Sequence, residues 1–129
     1  GGFMTISLMT NYPETFKVGV AGGPVIDWKW YEIMYGERYM ETEATNPEGF
    51  SQTSLIGKVD NLKGKLLICQ GAIDNTVVWE HSLSFVQECI EKNVQLDYFP
   101  YPCSEHNVFG RWRIHLMDKV TDYFDDYLK

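Results

Sequence analysis

The run Lys65-Leu66-Leu67-Ile68-Cys69-Gln70-Gly71 constrains this chain more than any other. Its apolar residues are continuous rather than alternating. A strand built from them must be buried on both faces, the usual state of a strand in a parallel sheet covered by helices. Parallel neighbours need long crossovers rather than hairpins, and the rest of the sequence is laid out to supply them. Lys17-Val18-Gly19-Val20-Ala21 reads as a short strand that ends at the turn Gly22-Gly23-Pro24. Gln95 to Pro100 reads as a third. Helical patterns occupy the intervals. Phe3 to Thr10 is stopped by Asn11-Tyr12-Pro13, since proline cannot continue a helix and restricts the residue before it. Asp27 to Met40 places Trp28, Tyr31, Tyr35 and Tyr39 on one helical stripe. Glu41 to Phe50, holding Asn46-Pro47-Glu48-Gly49, reads as a polar loop, with a short helix around Thr53 to Lys58.

Val77 to Lys92 reads as a helix whose apolar positions are Trp79, Leu83, Val86 and Ile90, with Asn93 as its C-terminal cap. Arg111 to Leu128 is the last helix, with Arg113, Met117, Val120, Phe124 and Leu128 along one side. The alternation predicts an α/β fold of about three parallel strands with flanking helices and right-handed crossovers.

Composition removes several classes of function. A 44% hydrophobic and 15% aromatic content is that of a packed domain and argues against disorder. Eleven Lys and Arg against 18 Asp and Glu give a net charge of −7, which repels phosphate backbones, so no nucleic-acid partner is expected. No apolar run approaches the roughly 18 residues of a membrane span. Three cysteines, Cys69, Cys89 and Cys103, are an odd number without CxxC or His-paired spacing, so neither a disulfide scaffold nor a metal site is expected. Cys69 and Cys89 read as core residues and Cys103 as a loop residue.

In open sheets of this type ligands bind beyond the carboxyl ends of the strands. Two loops there carry chemistry: Gly71-Ala72-Ile73-Asp74 after the buried strand, and Tyr101 to Gly110, with Cys103, Glu105 and His106, after the next. A carboxylate and an imidazole on successive loops suit an acid that orients a general base. Asp74 equally suits a helix cap. His81 and His115 fall inside helical stretches, where a packed or solvated histidine is the ordinary reading. By periodicity alone the stripe Trp28, Tyr31, Tyr35 is a core face. Ser7, Ser51, Ser54, Ser82, Ser84 and Ser104 lack the strand-to-helix turn that exposes a nucleophile. Glu41, Glu43 and Glu48 read as a solvated face.

Taken in order, these segments resemble the C-terminal end of the catalytic domain of the prolyl oligopeptidase family, most of all its dipeptidyl peptidase IV-like members. Gly1-Gly2-Phe3-Met4 resembles the end of the family's G-W-S-Y-G-G turn, and Phe16 to Ala21 the strand that follows. Pro24-Val25-Ile26-Asp27-Trp28 through Tyr31, Tyr35 and Glu37-Arg38-Tyr39-Met40 resembles the segment lining its specificity pocket. Gln70-Gly71-Ala72-Ile73-Asp74-Asn75-Thr76-Val77 resembles its aspartate loop, and Ser104-Glu105-His106 its histidine loop.

The resemblance implies a partial α/β-hydrolase domain over residues 1–129, lacking the nucleophilic serine and the strands before it. It implies His106 as general base and acid, Asp74 as its orienting carboxylate, and Val25, Trp28, Tyr31, Tyr35 and Val77 as an apolar pocket for the penultimate residue of a peptide. Thr76 departs from the asparagine of close relatives, and Arg38 fits an ion pair as well as a substrate contact. The implied parent is a bacterial serine exopeptidase releasing N-terminal dipeptides with Pro or Ala at the second position, without metal or organic cofactor, and periplasmic by family habit. The fragment alone is expected to be inactive and, with a strand edge uncovered, to self-associate. Another α/β-hydrolase (an acylaminoacyl peptidase or an esterase) and a noncatalytic α/β interaction domain are the competing expectations.

Overall fold

A computed structural model of the chain describes residues 1–28 and 44–128. Their elements follow one another as helix α1 (Gly2–Asn11), strand β1 (Val18–Gly22), helix α2 (Pro47–Thr53), a 3-10 helix (Ile56–Asn61), strand β2 (Lys65–Gly71), helix α3 (Trp79–Glu91), strand β3 (Asp97–Tyr101) and helix α4 (Arg111–Tyr127). The strands form one parallel sheet in the order β1-β2-β3. β2 is central, with Val18 opposite Lys65 and Gly22 opposite Cys69 on one side, and Leu67 opposite Asp97 and Gly71 opposite Tyr101 on the other.

The continuous apolar run of β2 is explained by this position. Leu66 and Ile68 point to one face, where they pack with Ile6 and Met9 of α1, Leu55, Val59 and Leu62 around the 3-10 helix, and Phe85 and Cys89 of α3. Leu67 and Cys69 point to the other, where they meet Tyr101, Val108 and Tyr123, the last from α4. Each fully buried Leu or Ile contributes about 1.5–3 kcal/mol. A hydrogen bond from the Tyr123 hydroxyl to Asp97 Oδ2, 3.0 Å long, ties α4 to β3.

Four sequence expectations need correction. The stretch read as a polar loop starts a helix at Pro47. Asn46 Oδ1 accepts from Gly49 N at 3.1 Å, and proline stands in the first turn, where its missing N–H matters least. The expected helix over Thr53 to Lys58 is instead the end of α2 followed by the 3-10 helix. In α3 the buried face is His81, Ser82, Phe85 and Cys89, whereas Leu83 and Ile90 are exposed. Both stripes have helical spacing, and the one that meets the sheet carries Phe85 and Cys89 into the core beside Leu66 and Ile68. In α4, Tyr123 is buried and Leu116, Val120 and Phe124 are half-buried, while Arg113, Met117 and Leu128 face outward. Asn93 takes its expected place: with φ 54° it ends α3 in a Schellman cap, Val94 N bonding Cys89 O at 2.8 Å and Asn93 N bonding Ile90 O at 3.2 Å. The expected helix from Asp27 to Met40 lies almost wholly outside the described residues.

Candidate active site

The register of β2 and β3 decides which loops meet. Gly71 and Tyr101 are paired at the carboxyl ends of adjacent strands, so the loops after them leave the sheet side by side. They are joined backbone to backbone by Ala72 N to Tyr101 O at 2.9 Å and Ile73 N to Ser104 O at 3.1 Å. Only glycine fits at position 71, because a Cβ there would overlap the carbonyl oxygens of Ser104 and Glu105.

This junction brings the Asp74 carboxylate to the His106 imidazole. Asp74 Oδ2 and His106 Nδ1 are 2.7 Å apart, with the carboxylate side chain wholly buried and the imidazole 41% exposed. A carboxylate only accepts, so Nδ1 donates, and in the neutral ring Nε2 is left as the acceptor. The other oxygen, Oδ1, accepts from Thr76 N at 2.9 Å and Val77 N at 2.8 Å. Of the two alternatives for Asp74 in the sequence, orienting belongs to Oδ2, and Oδ1 holds a turn rather than capping the helix. The turn that Oδ1 holds precedes α3, whose N-cap is Val78.

Two further groups brace the pair, and sequence reasoning missed both. Gln70 Nε2 lies 3.3 Å from Asp74 Oδ2; the one signal was a polar residue closing an apolar strand. Gly23 has φ +51°, and a Cβ on it would stand 2.9 Å from His106 Cε1 and Nδ1. The glycine therefore lets the end of β1 pass beneath the imidazole.

His106 opens on a cleft of about 330 Å³ that it shares with Gly1, Gly2, Phe3 and Met4 at the start of α1, with Gly22 and Gly23, and with Val25, Trp28 and Val77. Gly2 allows this closeness, since a Cβ there would sit 2.7 Å from Pro24 Cα. The first turn of α1 presents amides with no partner inside the helix, a setting that favours negative charge. Phe3 and Trp28 meet at 5.4 Å between ring centroids, an apolar wall beside the imidazole. Of the sequence-selected residues, Asp74, His106, Val25, Trp28 and Val77 come together here. Tyr31, Tyr35 and Arg38 lie outside the described residues.

Behind the wall stands His81, fully buried, whose Nδ1 accepts from Ile26 N at 2.9 Å and Asp27 N at 3.3 Å. Its imidazole therefore fixes the backbone between Val25 and Trp28. The sequence had placed it as a packed or solvated helical histidine; packing is the observed case.

The buried cysteines are poor nucleophiles. Burial pushes the Cys69 thiol up to about 11 and the Cys89 thiol up to about 12, which leaves both protonated at neutral pH. Among the described residues no group of three His, Cys, Asp or Glu side chains is arranged to hold a metal ion, and no helix is long and apolar enough to cross a membrane.

Comparison with known proteins gives consistent matches. The family model of the prolyl oligopeptidase family matches residues 1–129. The protein of Aspergillus oryzae named "Probable dipeptidyl-aminopeptidase B" is 40% identical over 113 residues, covering 84% of this chain and 12% of that protein. The Neurospora crassa protein of the same name is 33% identical over 129 residues, covering 95% of this chain and 14% of that protein. Among solved structures, a candidate dipeptidyl aminopeptidase IV from Bacteroides ovatus superposes with a TM-score of 0.96 at 55% identity. Dipeptidyl peptidase 4 of Porphyromonas gingivalis superposes with a TM-score of 0.94 at 30% identity. Both cover 98% of this chain, which spans 18% of either solved chain.

Proposed function

From the premise that the chain belongs to the prolyl oligopeptidase family, we propose that it carries the acid and the imidazole of a serine peptidase that releases dipeptides from peptide N-termini, with Pro or Ala at the second position. The observation that carries the reading is the 2.7 Å contact between the buried Asp74 carboxylate and a His106 imidazole that lines the same cleft as Val25, Trp28 and Val77.

The chemistry follows from the tautomer. With its proton on Nδ1, His106 presents Nε2 to the cleft, where it accepts the proton of an attacking serine hydroxyl. The serine oxygen bonds to the carbonyl carbon of the scissile peptide. Buried Asp74 stabilises the imidazolium, which then protonates the departing amine as the C–N bond breaks. Water, deprotonated by the same imidazole, hydrolyses the acyl-enzyme and frees the dipeptide. Val25, Trp28 and Val77 supply flat apolar walls that suit a proline ring or an alanine methyl and, together with Tyr31 and Tyr35, exclude larger side chains. The nucleophile and the groups that hold the substrate amine come from other parts of the intact protein, so residues 1–129 alone are expected to be inactive.

The test is made on the intact protein with chromogenic Gly-Pro, Ala-Ala and simple ester substrates. His106→Ala should lower kcat on the dipeptide substrates by about a thousandfold or more. Unchanged turnover would remove the acid–imidazole reading. A preference for the ester or for an N-acylated substrate in the unaltered protein would move the assignment to another hydrolase class.

A further inference from the structure

We propose that Gln70 is a positioning residue of the acid–imidazole pair: its amide holds the Asp74 carboxylate and the two ends of its loop in the geometry His106 requires. The proposal rests on the peptidase reading above and extends it to a residue outside the pair.

Gln70 is the next-to-last residue of β2 and is completely buried. Strand alternation puts its side chain on the face of Leu66 and Ile68, the face covered by α3. There its Nε2 meets three acceptors: Gly71 O at 3.2 Å, Asp74 Oδ2 at 3.3 Å and Val77 O at 3.1 Å. All three are oxygens without a proton to give, so the nitrogen rather than the oxygen of the amide must face them. Gly71 and Val77 bracket the aspartate loop, and Asp74 is its functional member. One NH2 group therefore spans the loop at its base and touches the same oxygen that meets His106.

The remaining atom of the amide makes the inference specific. Gln70 Oε1 is buried and has no hydrogen-bond partner among the described residues. A buried acceptor without a partner destabilises a fold, and an apolar side chain of the same length would avoid that penalty. A polar group kept at a net disadvantage to packing, with every donated bond directed at the Asp74 loop, is what a positioning role looks like. Without the amide, Oδ2 keeps only the imidazole as a donor and Val77 O loses its bond to Nε2, so the carboxylate can swing away from the line to Nδ1.

The experiment replaces Gln70 with Met, similar in length but without a donor, in the intact peptidase, and measures kcat and KM on a Gly-Pro substrate. The expected result is a fall in kcat of about ten- to a hundredfold, with KM changed little because, of the cleft-wall residues, the substitution touches Val77 alone and only at its main-chain oxygen. Gln70→Asn, which keeps the amide but withdraws it by one methylene, should give the same split, and it answers the question if the methionine variant does not fold. The same Met substitution is then made on Asp74→Asn. Positioning acts through the carboxylate, so in that background Gln70→Met should cost little further. Equal losses in both backgrounds, an unchanged kcat, or a rise in KM alone would overturn the proposal. His106→Ala, measured in parallel, separates the two levels. If it is inactive while Gln70→Met turns over normally, only this inference fails. If it retains activity, the underlying reading fails first.

Discussion

Replacing Gly71 with alanine probes the contact on which the candidate site depends. The added Cβ would overlap the carbonyl oxygens of Ser104 and Glu105 and stand 2.9 Å from the Glu105 carbonyl carbon. These are main-chain atoms and cannot rotate aside as a side-chain tip does. An unstrained carbon–oxygen contact is about 3.3–3.6 Å, so the histidine loop must retreat by on the order of 1 Å. The Asp74–His106 contact, 2.7 Å in the native chain, then lengthens to roughly 3.7 Å, outside hydrogen-bond range. The bonds from Ala72 N and Ile73 N to the other loop, 2.9 and 3.1 Å long, are stretched with it. Overpacking of this kind costs about 1–3 kcal/mol of stability. A misplacement on the order of 1 Å at a catalytic pair lowers turnover by about a hundredfold. The assay is dipeptide release by the intact protein, paired with denaturant unfolding. Gly57→Ala serves as the control, because nothing lies within 4 Å of a Cβ at that position. If Gly71→Ala keeps kcat within about twofold of the native value and unfolds at the same denaturant concentration, the steric argument is wrong.

His81→Leu should destabilise the fold by about 1–3 kcal/mol, since the buried amides of Ile26 and Asp27 lose the nitrogen they share. His81→Gln, which retains an acceptor, should recover part of it, as read from urea midpoints, and KM for dipeptide substrates should follow the same order. A thiol reagent in excess at pH 8 should modify exposed Cys103 first and reach Cys69 and Cys89 only after denaturant is added. Burial raises those two thiols from 9.0 to about 11 and about 12. The folded chain therefore holds protons that the unfolded chain releases above pH 9. Their contribution is complete below pH 9 and is lost as the pH climbs toward 11 and 12. The loss is at most about 1.4 kcal/mol per pH unit for each thiol, visible as falling urea midpoints across that range.

What the sequence revealed, and what it hid, follows from how locally each feature is encoded. The apolar run of β2 can satisfy its neighbours in one way, buried on both sides, and so it announced the parallel sheet. Asp74 and His106 stood out because each lies in the loop after a strand, at the end where such sheets carry their ligands. The buried side of α3 was ambiguous, since two stripes share one period and the choice belongs to the surface they meet. Helix α2 was written in Asn46-Pro47, a capping residue followed by a first-turn proline, yet the surrounding polar residues suggested a loop. Gln70 and His81 were hidden for a different reason. Their roles reside in bonds to main-chain groups and to a carboxylate that tertiary structure alone brings near them, and their immediate neighbours mark no more than a polar residue at the end of an apolar run.

The aspartate and histidine loops are fastened through peptide groups, while Ile73, Cys103 and Glu105 turn their side chains outward. Substitutions on the outer surface of the loops can change charge, bulk and polarity there without touching the peptide bonds of the inner joint that aligns proton donor and acceptor.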